Sequence, residues 1–138
     1  MQEPTPLQES IPGARGDEVS DTPILITVGE HALDARLYDN PGAQSLLDQL
    51  PLTLEFSDYS RQEVVAEPPQ PITMDDMPSG ESAPTGTIGY YAPGGVLVLY
   101  YTDVGRFNGI VRLGHIDSDV SVLRDWQESR PVTIERVN

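Results

Sequence analysis

The sequence predicts a mainly β domain, whose mostly antiparallel strands close into a small barrel with short helices at its ends. From Pro23 onward, short β-branched or alternating apolar runs follow one another and are broken by turns. About seven or eight strands and two short helices can be counted in this way, which fits a small closed barrel. Helices do not separate the strands regularly, and this disfavours a parallel α/β sheet.

Each predicted strand is a run of β-branched residues or an alternation of apolar and polar residues. In chain order the strands cover residues 24–28, 32–38, 52–57, 63–66, 87–92, 96–102, 110–113 and 131–137. Gly29-Glu30 joins the first two strands as a hairpin. Pro93-Gly94-Gly95 joins the fifth strand to the sixth.

The two predicted helices are short and amphipathic. Asp39-Asn40-Pro41 supplies a cap with Pro at the first helical position, and Pro51 ends the segment. The apolar residues at helical spacing within it are Ala43, Leu46, Leu47 and Leu50. Ser118 is the predicted cap of the second helix, whose apolar face consists of Val120, Leu123 and Trp126.

Two segments are predicted to be loops. Residues 67–86 carry five prolines and several acids, and a loop of this length inside a domain is typically functional or mobile. Residues 103–109 form the second loop, which contains Arg106 and Phe107 between two glycines. Loops on a rigid scaffold carry function more often than strands do, so we expect a site at this second loop.

The composition excludes several classes of function. The chain has 138 residues and a net charge of −14, all eight of its basic residues are Arg, and it has no Cys. Nucleic acids and anionic membranes are recognised by basic patches, so neither is an expected partner. The absence of Cys excludes disulfide scaffolds, thiol catalysis and zinc–thiolate sites.

The chain divides into a tail and one domain. Residues 1–22 are acidic, contain prolines and lack apolar periodicity, so we predict a disordered tail or linker, followed by the barrel domain at 23–138. The tail does not have the pattern of a signal peptide. The protein is cytoplasmic if Met1 is native and extracytoplasmic if a signal peptide was removed. No run reaches transmembrane length, so no membrane insertion of the domain is expected.

Three strings resemble the bacterial cyclophilin-like domain family, a group of small proteins of mostly unassigned function. They are residues 50–54, residues 88–95 leading into 97–101, and residues 109–116. The resemblance extends from about Ile24 to Val137. It implies the cyclophilin architecture, which is an eight-stranded barrel with two helices.

The resemblance does not imply prolyl isomerase activity. True cyclophilins carry a signature of Phe, Gln and Met around a catalytic Arg, and no such string occurs in this chain. Arg61-Gln62 stands in the corresponding part of the chain but lacks the aromatic neighbours. Relatives also carry a basic residue and an aromatic-Leu-Pro step after the fourth strand, where this chain has residues 64–68, Val-Val-Ala-Glu-Pro.

The aromatic residues of the later strands are the principal site candidates. Strand alternation directs one ring of each adjacent tyrosine pair inward and the other outward, so both faces of the barrel receive aromatic surface. These rings either serve as core and cross-strand packing or line a groove. Arg106 and Arg112 would anchor an anionic group at its rim. The predicted ligand-binding residues are Tyr91, Tyr101, Arg106, Phe107 and Arg112.

No metal or cofactor is predicted. His31 and His115 have no second ligand at metal spacing, and a surface or capping role is favoured over general-base catalysis. Asp75-Asp76 and residues 117–119 do not match a calcium loop, and the latter segment fits a helix cap. Phosphate-binding and dinucleotide-binding glycine motifs are also absent from the sequence.

Two functions are compatible with these sequence features. The first is a non-catalytic module that binds a peptide segment or a small molecule on a cyclophilin-like barrel. The alternative is a weak peptidyl-prolyl cis-trans isomerase in which Arg61 or Arg106 polarises the prolyl bond. The ligand and the oligomeric state are left open.

Overall fold

Eight antiparallel strands close into a barrel in the computed structural model, which describes residues 21–137. Its strands are β1 (Thr22–Val28), β2 (His31–Leu37), β3 (Leu52–Tyr59), β4 (Glu63–Ala66), β6 (Thr87–Tyr91), β7 (Val96–Tyr100), β9 (Ile110–Ile116) and β10 (Arg130–Arg136), with β5 (Gly80–Ala83) and β8 (Val104–Asn108) outside it. The order around the barrel is β1-β10-β3-β4-β7-β6-β9-β2, and β2 pairs with β1 to close it. The predicted eight-stranded barrel is confirmed.

The barrel interior is filled by the inward residues of every strand. Successive residues of β7 point alternately into and out of the barrel. Leu97 and Leu99 belong to the inner core, whereas Val98 and Tyr100 belong to a second cluster on the outer face. Phe56 is fully buried in the inner core. The outer face of β7 is therefore apolar as well, and because its side chains are buried, another segment of the chain must pack against it.

The helix α1 (Pro41–Leu47) forms where the cap sequence predicts it. The Asn40 side chain accepts a hydrogen bond from the Ala43 amide at 2.8 Å, and Pro41 occupies the first helical position. Leu46 and Leu47 are buried in the inner core. The helix ends at Leu47, before the predicted limit at Pro51.

The predicted second helix is only a single 3₁₀ turn, Ser121–Leu123. Ser118 does not cap it, because its hydroxyl accepts a hydrogen bond from the Asp34 amide of β2 at 2.9 Å. Beyond the turn Arg124 is extended and Asp125 has φ of 63°, so the chain cannot continue as a helix. The prediction of two helices is thus wrong for this segment.

The segments predicted to be loops each contain a strand. The strand β5 lies within the proline-rich segment and β8 within the Arg106 loop, and the two pair as an antiparallel ribbon outside the barrel. The buried Ala83 of β5 joins Val98 and Tyr100 in the outer cluster, and Val104 of β8 packs against it. We call β5 and β8 the ribbon. It covers part of the apolar outer face of the barrel.

The predicted tail lies outside the described residues except for its last two. Asp21 and Thr22 lead into and begin β1. None of the helices within residues 21–137 is long and apolar enough to cross a membrane.

Candidate functional site

Two cavities flank the ribbon on the outer face of the barrel. The first, here called the aromatic cleft, has a volume of about 440 Å³ and is lined by Tyr59, Gln62, Glu63, Val65, Tyr91, Gly94, Val96, Tyr100, Val104, Phe107 and Ile110. The second, here called the charged cavity, has a volume of about 480 Å³ and is lined by Asp21, Arg36, Tyr38, Asp39, Asn40, Asp76, Met77, Pro78, Glu81 and Arg112. Both volumes suit a small organic ligand. The strand β8 contributes to the cleft and β5 to the charged cavity.

Strand register assembles one wall of the aromatic cleft. Glu63 of β4 pairs directly with Tyr59 of β3 on one side and with Tyr100 of β7 on the other. Directly opposed residues point to the same face of a sheet with Cβ atoms about 5 Å apart. Tyr59, Glu63 and Tyr100 therefore form a row across three strands, with the carboxylate between two tyrosines.

The opposite wall is formed by Tyr91 of β6 and Phe107 of β8. Their ring centroids are 6.1 Å apart and the ring planes are tilted by 44°, within the usual range for aromatic pairs. Gly109 allows this packing, because it has φ of 97° and a Cβ there would lie 2.5 Å from the Cδ of Pro93 and 3.3 Å from the Tyr91 ring. The turn after β8 thus holds Phe107 over the cleft.

The rim of the aromatic cleft is unusually exposed. Tyr59 is 59% exposed and Phe107 56% exposed, and both line the cleft, whereas Val137, which is 48% exposed, does not. Tyr100 is only 1% exposed and lies at the floor. A concave surface with exposed aromatic side chains above a buried floor is typical of a binding site.

The carboxyl group of Glu63 is partly desolvated in this cleft. Burial raises the pKa of Glu63 above its usual value, and the negative charge of Asp58 raises it further. Burial likewise raises the pKa of Tyr100, with contributions from Glu63 and Tyr91. Tyr100 is therefore neutral at physiological pH, and Glu63 is held in an environment that disfavours its charge.

The charged cavity contains two arginines, each of them in ion pairs. Arg112 Nε lies 3.5 Å from Glu81 Oε2, and the Arg112 amide donates a hydrogen bond to Glu81 Oε1 at 2.8 Å. Arg36 lies 3.6 Å from Asp21 and 3.5 Å from Asp117. Both arginines of this cavity are thus in ion pairs with acids of the protein, although their buried Nε atoms have no hydrogen-bond partner among the described residues.

The comparison with protein families decides the classification of the chain. The family model described as the Cyclophilin-like family matches residues 26–135, which is most of the chain. The chain belongs to this family. The resemblance to a cyclophilin-like family is confirmed, and the chain adopts a closed eight-stranded barrel.

A solved structure shares the fold of this cyclophilin-like chain. The solution structure of the hypothetical protein AF2241 from Archaeoglobus fulgidus superposes with a TM-score of 0.66 at 16% sequence identity. The alignment covers 86% of the present chain and 96% of the archaeal chain. At this identity the likeness shows the fold alone. A search among curated proteins found no match.

The cyclophilin-like barrel brings only two of the predicted ligand-binding residues together. Tyr91 and Phe107 line the aromatic cleft, whereas Arg112 lines the charged cavity. Tyr101 is 3% exposed and belongs to the inner core, where its hydroxyl donates a hydrogen bond to Asp58. Burial, together with this bond, raises the pKa of Tyr101 to about 12.

The two arginines considered for catalysis lie outside both cavities. Arg61 is exposed in the turn between β3 and β4, and its amide donates a hydrogen bond to Asp58 at 3.1 Å. Arg106 is exposed on β8, where its guanidinium donates to Asn108 at 3.1 Å and to Ser79 at 3.5 Å. A ligand role for Arg106 remains a prediction.

Among the aromatic and acidic side chains that line the cleft, three were not predicted as site residues: Tyr59, Glu63 and Tyr100. The available signal was Glu63, an acid that begins a short β run and is followed by three apolar residues. Its tyrosine neighbours come from other strands, and only the register reveals them. As for metals, no group of three or more His, Cys, Asp or Glu side chains within residues 21–137 is placed to hold an ion.

Proposed function

We propose that this cyclophilin-like domain is a non-catalytic binding module and that its ligand, a peptide segment or a small molecule, occupies the aromatic cleft. The observation that carries the proposal is the cleft itself, a cavity of about 440 Å³ with exposed aromatic residues at its rim. Aromatic side chains bury large apolar areas when a ligand covers them, and Tyr is enriched at binding interfaces.

The lining of the cleft favours binding over prolyl isomerisation. Isomerase chemistry of the kind considered for this chain needs an arginine that polarises the prolyl bond. Among the described residues that line the cleft there is no arginine, and both Arg61 and Arg106 lie elsewhere. The alternative function is thus left without a group at the cleft to perform it.

The test is a titration followed by ¹H–¹⁵N NMR. The probes are indole and a succinyl-Ala-Ala-Pro-Phe peptide, the second of which also serves as an isomerase substrate. We expect either probe to shift the amides of Val65, Val96 and Ile110, which line the cleft on three strands. We also expect no acceleration of Ala-Pro isomerisation at high protein concentration.

A variant pair connects the shifts with the cleft. Phe107→Ala removes an exposed ring, so folding stability changes little while probe affinity falls by about tenfold, the loss expected from truncating an aromatic anchor. Val137→Ala is the matched control, because Val137 is similarly exposed but lies outside the cleft. Shifts that are confined to the charged cavity, or equal losses in the two variants, would contradict the proposal. Acceleration that disappears in Arg61→Ala or Arg106→Ala would establish the isomerase instead.

A further inference from the structure

We infer that the aromatic cleft binds an organic cation, and specifically a small molecule that carries an alkylated ammonium group. This inference rests on the proposed function, since it names the chemistry of the ligand of the same cleft. It goes beyond that proposal by assigning the ligand a positive charge and giving Glu63 a role.

The aromatic lining is suited to a cation. Four rings border the cleft, contributed by strands β3, β6, β7 and β8, and they are Tyr59, Tyr91, Tyr100 and Phe107. Each ring carries negative charge on its faces, and a cation within about 6 Å of a ring centroid is attracted to it. The 44° tilt between the Tyr91 and Phe107 rings leaves the pair unstacked, so their faces are not covered by each other.

The one formal charge in the lining is also suited to a cation. Glu63 is the one carboxylic acid among the described residues that line the cleft, and none of these residues is basic. The register sets its carboxylate between Tyr59 and Tyr100. No ion pair with a basic side chain is found for Glu63 among residues 21–137, so a ligand cation would supply the missing counter-charge.

The surroundings favour a cation over an anion. The protein has a net charge of −14, and a field of this sign concentrates cations and repels anions at a partly desolvated cleft. The arginines that line the charged cavity are already paired with Glu81, Asp21 and Asp117. An anionic ligand would therefore meet the Glu63 carboxylate at the cleft, and the arginines of the neighbouring cavity already lie in ion pairs with acids of the protein.

The small number of polar groups in the cleft favours an alkylated ammonium over a metal ion or a primary ammonium. A divalent metal ion takes six or more oxygen ligands, whereas the residues that line the cleft include one carboxylate, the Gln62 amide and three tyrosines. Within residues 21–137 no group of three or more His, Cys, Asp or Glu side chains is placed to hold an ion. A primary ammonium brings three donors that each need an acceptor. An alkylated ammonium needs few acceptors and packs its methyl groups against apolar walls such as Val65, Val96 and Ile110. The volume of about 440 Å³ accommodates a molecule of this kind.

The experiment compares two probes that differ in charge alone. Choline and 3,3-dimethylbutan-1-ol have the same shape, with a quaternary nitrogen in the first where the second has a carbon. Both are titrated by ¹H–¹⁵N NMR into the whole chain, into Glu63→Gln and into Glu55→Gln. The last variant is the matched control, because Glu55 lies on β3 outside the cleft and its loss changes the net charge equally.

We expect choline to bind about tenfold more tightly than the alcohol, with shifts at cleft amides, and this preference to disappear in Glu63→Gln but not in Glu55→Gln. Equal binding of the two probes in the cleft would overturn the cation inference and leave the proposed function standing. A preference lost equally in both variants would also overturn it, because net charge would then be its cause. If neither these probes nor indole or the peptide shifts the cleft, the proposed function fails as well.

A third probe tests the size of the ligand. A peptide that contains trimethyllysine presents the same ammonium group on a polypeptide. We expect it to bind no more tightly than choline, because the inferred ligand is a small molecule whose contacts all lie within the cleft. Tighter binding of the peptide, with shifts that extend beyond the cleft, would overturn the assignment to a small molecule.

Discussion

The aromatic cleft and the charged cavity lie on the same outer face of the barrel, and the ribbon is a wall of both. Glu81 and Phe107 are register partners in the ribbon, so a single cross-strand pair contributes a side chain to each cavity. The charged cavity has the arginines, yet the acids of the protein already pair with them. The cleft has one carboxylate and no basic partner among the described residues of its lining. The two sites therefore differ in ion pairing: the charges of the cavity's arginines are matched by acids of the protein, whereas the carboxylate of the cleft has no basic side chain beside it.

The largest expected effect is a difference in unfolding free energy between alanine substitutions at two glycines, Gly114 and Gly89. A Cβ on Gly114 would lie 2.1 Å from the Arg36 carbonyl oxygen of β2, so Gly114→Ala forces the β2–β9 seam apart. A Cβ on Gly89 would lie 2.9 Å from the Tyr100 ring and 3.1 Å from the Val111 carbonyl oxygen, so its overlap with the backbone is much smaller. We expect Gly114→Ala to cost about 3 kcal/mol or more in unfolding free energy and Gly89→Ala about 1–2 kcal/mol, as measured by urea denaturation.

Only one of these two substitutions should alter the cleft directly. In Gly89→Ala the Tyr100 ring that forms the cleft floor is displaced, so indole binding weakens although the domain stays folded. Gly114→Ala should weaken indole binding only to the extent that it unfolds the chain. Equal losses of unfolding free energy in the two variants would contradict this prediction, because the backbone contact at Gly114 would then cost no more than the contact with the Tyr100 ring.

The next effect tests whether the ribbon couples the cavities. Glu81→Ala removes the acceptor of the Arg112 amide and the partner of its guanidinium, at a cost of about 1–3 kcal/mol for a donor left unpaired. Loosening β5 should also displace Phe107 of β8 and lower indole affinity. Glu81→Gln keeps a hydrogen-bond acceptor and is the control, with a smaller loss of both quantities. Unchanged indole affinity in Glu81→Ala would mean that the cavities are independent.

The smallest effect concerns the pH dependence of Glu63. The pKa of Glu63 is raised in the folded state, so its favourable contribution is present below its ordinary pKa of 4.5 and is lost as the pH rises through the folded-state value. At neutral pH the ionised carboxylate therefore lowers stability. We expect Glu63→Gln to unfold at higher temperature than the natural chain at pH 7 and this gain to vanish below about pH 4.

The matched variant for this measurement is again Glu55→Gln. It relieves the same amount of general charge repulsion from an exposed position, without burial of the carboxyl group. A gain in Glu55→Gln as large as that in Glu63→Gln would show that net charge, and not the environment of the cleft, sets the effect. A residue that lowers stability in this way is typical of a functional site.

The fold could be predicted from the sequence wherever it depends on local pattern. The barrel strands alternate because side-chain direction along a strand has a period of two residues, which is readable without knowing the partner strand. The helix start was equally local, since Asn40 caps an amide three residues away. The ribbon strands escaped prediction because β5 reads Gly-Glu-Ser-Ala and β8 reads Val-Gly-Arg-Phe-Asn, without apolar alternation.

The sequence by itself determined the fold class, the start of the first helix and the alternation that turns one tyrosine of each adjacent pair outward. Tertiary structure alone decided which side chains meet. Register across β3, β4 and β7 sets Glu63 between Tyr59 and Tyr100, and the ribbon brings Phe107 onto Tyr91 while β9 carries Arg112 to the other side. The physical reason is that alternation specifies the face to which a side chain points, whereas only strand pairing specifies its neighbours on that face.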